Sequence, residues 1–194
     1  LFQAVGTGST ALVAQAIGAG NRPLARRVLE QSMLVAIGLG VACFALLMPL
    51  TRQALIALGA EEETVALGVR YLPYMAATLP MMSLLMVGNA ALRGAGDTRT
   101  PMVIMGGMNV LNALLSLLLI RGIGPFPELG VRGAGIAAGT SRALAGLATV
   151  VILRSGHSSL HLRRLAVVPD RDVLGRLLQV SLPAGGENLL MRLA

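Results

Sequence analysis

The sequence predicts an all-α, polytopic bundle of membrane-spanning helices, and three observations carry that prediction. The 194 residues are 55% hydrophobic and only 13% charged, with a mean hydropathy of +0.74; a soluble domain carries about 25% charged residues. Two runs, Tyr71–Leu92 and Met102–Ile120, contain no charge at all. Each is long enough to cross a bilayer core, which takes roughly 20 apolar residues as helix. Finally, the loops between apolar runs alternate between arginine-rich and arginine-poor, the pattern of a chain threading back and forth across a membrane.

The first apolar segment covers Leu1 to about Gly20, and Asn21–Glu30 reads as a loop carrying Arg22, Arg26 and Arg27. A second span is predicted at Met33–Leu50, closed by Pro49. Thr51–Glu63 then reads as an outlying turn or short helix ending in three glutamates, which suit the positive N-terminal end of the helix that follows. The third span is predicted from near Thr64 to Leu92 with Pro73 and Pro80 inside it, where prolines commonly kink a membrane helix. Met102–Ile120 is the fourth span and Arg121–Arg132 a Gly/Pro-rich loop. Gly133 to about Leu153 is the fifth, interrupted by Arg142, and Leu177 begins a sixth. Within the long connection 154–176 and just beyond it, Val173, Leu174, Leu177 and Leu178 share one helical face. This predicts a helix lying at the interface before the chain enters the membrane. Both ends of the sequence lie in apolar runs and it does not begin with Met, so it reads as an internal piece of a longer protein.

Arg22, Arg26, Arg27, Arg93, Arg99, Arg154, Arg163, Arg164, Arg171 and Arg176 fall in one set of loops, against Arg52, Arg121 and Arg132 with four glutamates in the other. Positive charge marks the cytoplasmic side. The net charge of +7 and pI near 11.4 therefore reflect arginines flanking spans, and nucleic-acid binding is not expected. All sixteen basic residues are arginine, and the single cysteine, Cys43, has no partner in the chain.

The loop Leu92-Arg93-Gly94-Ala95-Gly96-Asp97-Thr98-Arg99-Thr100-Pro101 is the most specific motif. Its glycines permit a tight turn at positive φ, Asp97 or Thr98 can cap the next helix, and Pro101 suits that helix's first turn. On the fourth span Asn109, Asn112 and Ser116, three and four residues apart, share a stripe. Two amides and a hydroxyl in hydrocarbon need partners, either across a helix interface or in an aqueous cavity. Arg142 either snorkels to the outer interface or faces the bundle interior. Glu187, one turn after Pro183, is either a cation-coupling carboxylate or an ion-pair partner for Arg176 or Arg192. Gly133–Ala138 approximates a dinucleotide fingerprint, but it lies in a span without a preceding strand, so helix packing through Gly135 and Gly139 is expected instead. His157 and His161 lack a third ligand, so no metal site is expected, and no catalytic constellation is present.

The loop Leu92–Pro101 resembles, almost residue for residue, the turn between the fourth and fifth helices of the multidrug and toxic compound extrusion (MATE) transporters. In the same order, Gly6-Thr7-Gly8 with Ala11–Gln15 and Gly18–Gly20 is similar to that family's second helix, and Tyr71-Leu72 and Pro80 to its fourth. Asn109 and Asn112 resemble its fifth helix, Gly130–Ala134 the entry to its sixth, and Leu182-Pro183-Ala184 with Glu187-Asn188 the start of its seventh. The resemblance implies a lobe of helices 2–6 at residues 1–153, a cytoplasmic inter-lobe connection at 154–176, and the start of helix 7 at 177–194. It further implies a multi-pass protein of the bacterial plasma (inner) membrane that is not an enzyme. Such a protein takes no cofactor beyond a coupling ion, Na⁺ or H⁺, and exports amphipathic, often cationic, drugs or toxic compounds by alternating access. Its partners would be membrane lipid, those small substrates and the rest of its own chain, helix 1 and helices 7–12. Asn109, Asn112, Ser116, Arg142 and Glu187 are the cavity candidates, and Arg93, Gly94, Gly96, Asp97, Thr98, Thr100 and Pro101 form a structural loop. The chain departs from the family pattern at Ser116, where many members carry an aspartate, and at Met191, where some carry a glutamate. The alternatives are a lipid-linked precursor or polysaccharide flippase of the same superfamily and, from another class, an integral-membrane enzyme.

Overall fold

A computed structural model describes residues 2–59, 61–123, 127–156, 160–162 and 169–193, without the side chains at 63, 66, 67, 70, 71, 73, 74, 131, 182, 184, 185 and 187–193. His157, Arg163 and Arg164, and the side chains of Tyr71, Glu187, Asn188, Met191 and Arg192, thus lie outside the described residues. Seven helices follow in order: α1 (Phe2–Gly18), α2 (Arg22–Ala57), α3 (Glu62–Ala77), α4 (Leu79–Gly94), α5 (Arg99–Arg121), α6 (Val131–Ser155) and α7 (Arg171–Leu193). No strand occurs among the described residues. Of these, α2, α5 and α6 are each long and apolar enough to cross a membrane unaided.

The helices run alternately up and down, with α3 and α4 following one another in the same direction so that α1 and α4 are parallel. This gathers the α1–α2 turn, the α4–α5 loop and the start of α7 at one arginine-rich end. At the centre, α4 packs against α1, α2 and α6, while α5 lies on α6 and α7 on α1. The main core joins Val13, Leu29, Met33, Val87, Leu92, Leu153, Leu162 and Leu177, all in the half nearest the arginine-rich end. The opposite half is loosely filled: Val41, Leu46, Leu47, Met48 and Leu50 of α2 are all exposed.

Three boundaries differ from the sequence expectation. The predicted loop Asn21–Glu30, the span closed by Pro49 and the outlying turn from Thr51 are replaced by one helix of 36 residues, about 54 Å long at 1.5 Å per residue. Its start is set by Asn21, whose side chain accepts the Leu24 amide at 3.0 Å, and by Pro23 in the first turn. Arg26 and Glu30 pair at 3.1 Å on the same face. Past Pro49 the helix continues, with the Thr51 hydroxyl donating to the Leu47 carbonyl at 2.6 Å.

The predicted third span is two helices that meet at Thr78. There the Thr78 hydroxyl donates to the Met75 carbonyl at 2.8 Å, and Pro80, which has no amide to offer α3, stands in the first turn of α4. Finally, no boundary falls at Leu177, because α7 is continuous from Arg171. The face predicted to lie on the membrane is largely covered by protein: Val173 and Leu177 belong to the core, and only Leu178 is exposed.

The α4–α5 loop explains its own composition. Gly96 adopts φ +83, and the Asp97 amide reaches back to the Leu92 carbonyl at 2.9 Å while the Gly96 amide bonds Arg93 at 3.0 Å, the paired closure of a Schellman motif. Asp97 rather than Thr98 caps α5: its carboxylate accepts the Thr100 amide at 3.0 Å and the Thr100 hydroxyl at 2.7 Å. Pro101 is buried beneath the cap. Asp97→Ala removes both bonds and should destabilise the protein by about 1 kcal/mol, read as a lower thermal midpoint in detergent; an unchanged midpoint would show that the cap contributes nothing.

Candidate functional site

The polar stripe on α5 is open. Asn109 is exposed, Asn112 and Ser116 are half-buried, and the helix fully buries only Pro101 and Ile104 among its residues. The Ser116 hydroxyl donates to Asn112 Oδ1 at 3.4 Å, a bond within the helix. Among the described residues no second helix supplies a partner to any of the three side chains, so the stripe does not act as an interhelical zipper here.

Arg142 lies elsewhere. It stands about three turns into α6, on the face that also carries Gly139 and Gly146. A Cβ on either glycine would meet α4, at Thr78 Cγ2 (3.1 Å) or at the Met81 backbone. The guanidinium lines a cavity of about 280 Å³ beside the α3–α4 break, walled by Leu47, Thr51 and Leu55 of α2 and by Met75, Leu79 and Met82. The residue is half-buried and has no hydrogen-bond or ion-pair partner among the described residues. The structure thus separates Arg142 from the Asn109–Asn112–Ser116 stripe, with which the sequence reading had grouped it, and places it on the cavity beside the α3–α4 break. Glu187 lies within α7 by backbone, but its side chain is outside the described residues.

Of the loop residues, Arg93 borders a separate hollow with Phe2, Gln3, Thr7 and Thr10; the others serve the turn. Gly94 lets α4 meet α1, since a Cβ there would lie 2.5 Å from the Thr10 carbonyl. At the arginine-rich end a cavity of about 260 Å³ brings Gln15 and Arg27 together with Asp170, Asp172 and Arg176. Gly139 packs as the sequence predicts, Gly135 is buried, and Gly133 closes on Leu119 of α5. Sequence reasoning missed Thr51 and Thr78 as polar members of the Arg142 cavity. The available signal for Thr78 was Pro80 two residues on, which marks where α3 must stop.

A family model described as MatE matches residues 1–118. The chain is 38% identical over 189 residues to a probable multidrug resistance protein NorM of Thermotoga maritima, covering 96% of this chain and 40% of that protein. It is 35% identical over 190 residues to an FAD transporter of Shewanella oneidensis, covering 98% and 42%. A crystal structure of MATE in the bent conformation superposes with a TM-score of 0.89 at 27% identity, covering 99% of this chain and 42% of that one. The chain thus spans about two fifths of the length of the relatives it matches.

Proposed function

This chain belongs to the MatE family, and on that premise we propose that it forms the greater part of one lobe of a cation-coupled exporter of amphipathic compounds in a bacterial inner membrane. In this reading residues 1–153 are helices 2–6 of the amino-terminal lobe, the connection from 154 crosses to the second lobe at the cytoplasmic face, and α7, continuous from Arg171, opens the second lobe's first helix. The rest of the exporter and the surrounding lipid are its partners. It performs no chemistry on its cargo and needs no cofactor beyond Na⁺ or H⁺.

The observation that carries the reading is an asymmetry of packing. The arginine-rich half is filled by Leu29, Met33, Val87, Leu92 and Leu153, each fully buried, whereas the far half of α2 is exposed; α5 is exposed along its length and carries the open stripe. A lobe packed tightly at one end and loosely toward the other, with a polar stripe on its outlying helix, supports a reading of alternating access. Ser116 cannot exchange a proton near neutral pH, so coupling through this helix would act through hydrogen bonds or a bound ion, and Glu187 is the carboxylate candidate on α7. The matched relatives are named for drugs in one case and for FAD in the other, which supports amphipathic cargo and gives a lipid-linked precursor flippase no support.

The full-length protein expressed in an efflux-deficient bacterium should extrude fluorescent amphipathic compounds when a Na⁺ or H⁺ gradient is imposed, and extrusion should stop when the gradient is collapsed. Extrusion of no such compound under either gradient overturns the reading.

A further inference from the structure

We propose that the cavity around Arg142 takes an amphipath bearing a negative charge, so that this lobe selects anionic rather than cationic cargo. The inference rests on the transport reading for the word cargo, and on the chain's own charges for the sign. None of the described residues lining the cavity is acidic. A cation drawn into this cavity would give up its hydration and meet no counter-charge from these walls, which is a costly arrangement in a low-dielectric interior.

Arg142 sets the opposite sign. It is half-buried, faces the α3–α4 break, and has no carboxylate among the residues lining its cavity. An ionisable group held inside a membrane bundle without a partner is conserved in energy terms only if something else satisfies it. The carbonyl end of α3, at Met75 and Ala76 on the cavity wall, offsets part of its charge through the helix dipole. The planar fork of the guanidinium still presents parallel donors of the spacing that phosphate and carboxylate oxygens match. Around it Leu47, Leu55, Leu72, Leu79 and the flexible thioethers of Met75 and Met82 give an adaptable apolar wall for a ring or chain. The hydroxyls of Thr51 and Thr78 are already engaged with the Leu47 and Met75 carbonyls, so Arg142 alone supplies the charge. A phosphate or carboxylate on an apolar body satisfies both parts of the site. It could come from a transported solute or from a lipid headgroup.

Flavin mononucleotide and riboflavin share one ring system and differ by a phosphate, so they isolate the charge. The purified full-length protein in nanodiscs of zwitterionic lipid should bind flavin mononucleotide at least tenfold more tightly than riboflavin. Arg142→Gln should abolish that preference without changing riboflavin binding, and Arg142→Lys, which keeps the charge, should restore part of it. Equal binding of the two flavins, or a preference untouched by Arg142→Gln, overturns the proposal. Adding an anionic phospholipid to the nanodiscs separates the sources. An Arg142-dependent loss of flavin mononucleotide binding assigns the site to a lipid headgroup, and undiminished binding assigns it to a solute. Gradient-driven extrusion of ethidium, a cation, run in parallel tests transport by itself. Absence of gradient-driven extrusion of ethidium and of anionic fluorescent amphipaths alike, together with intact flavin discrimination, would fault the exporter reading and leave the anion site standing.

Discussion

Replacing Gly146 with leucine is expected to leave almost no folded protein in the membrane. A Cβ at Gly146 would lie against the Met81 carbonyl group, with the carbon at 2.9 Å and the Cα at 3.2 Å. These are backbone atoms of α4 and cannot rotate aside as a side chain would. The same seam holds Gly88, whose Cβ would meet Thr149 Cγ2 at 2.5 Å and Met33 Cε at 3.2 Å, and Gly139 opposite Thr78. Between membrane helices the lipid is as apolar as the side chains, so close backbone approach through small residues supplies much of the association. A leucine adds four heavy atoms where not even one fits, and overpacking a core by less than this costs about 1–3 kcal/mol. Because α4 touches α1, α2 and α6, pushing α6 away also loosens the cavity at Arg142. Size-exclusion of the full-length protein extracted in mild detergent should show the monodisperse peak reduced at least tenfold. Gly38→Ala is the control: nothing lies within 4 Å of a Cβ there, and an alanine in a helix interior gains up to about 1 kcal/mol over glycine. A normal peak from Gly146→Leu would mean that α4 and α6 do not meet as described.

Of that seam only Gly139 was legible in the sequence as a packing position; Gly146 and Gly88 were not, although much else was. The spans could be read because hydrocarbon excludes charge, and the loop Leu92–Pro101 because each residue does its work locally: Gly96 supplies a positive φ, Asp97 the cap, Pro101 the first turn. The MATE resemblance, carried by that loop, agrees with the matched family model. Gly146 and Met81 are 65 positions apart in the chain, and no periodicity announces which glycine will meet which backbone. Pro49 misled in the other direction. A proline inside an apolar run reads as a stop, yet α2 runs through it, with the Thr51 hydroxyl bonded to the Leu47 carbonyl across the site. Pro80 does mark a boundary: it stands in the first turn of α4, just past the end of α3 at Ala77. Arg142 could be picked out as costly from its position in a span, but which cavity it lines depends on the α3–α4 break and on the outer part of α2, both of which the sequence reading had ended or continued in the wrong place.

Asn112→Leu should lower gradient-driven export about tenfold while leaving membrane insertion and the size-exclusion profile as in the parent protein. The side chain is half-buried on a helix whose neighbours offer it no bond among the described residues, so its amide is free to serve a solute, a water chain or the coupling ion. Its one contact, the hydroxyl of Ser116 at 3.4 Å, is long for an O–H···O bond and contributes little to stability. Leucine has nearly the same volume and suits a helix in hydrocarbon, so the substitution removes polarity without creating a cavity. A tenfold fall in rate corresponds to about 1.4 kcal/mol, the size of one hydrogen bond made to a charged or ordered partner. Ser116→Ala isolates the second half of the pair. If the two side chains act on one transported species, the double variant should lose no more than Asn112→Leu alone, whereas independent roles give multiplied losses. Unchanged export by Asn112→Leu would return the stripe to a packing role and move the search for the coupling group to α7, where Glu187 lies one turn past Pro183.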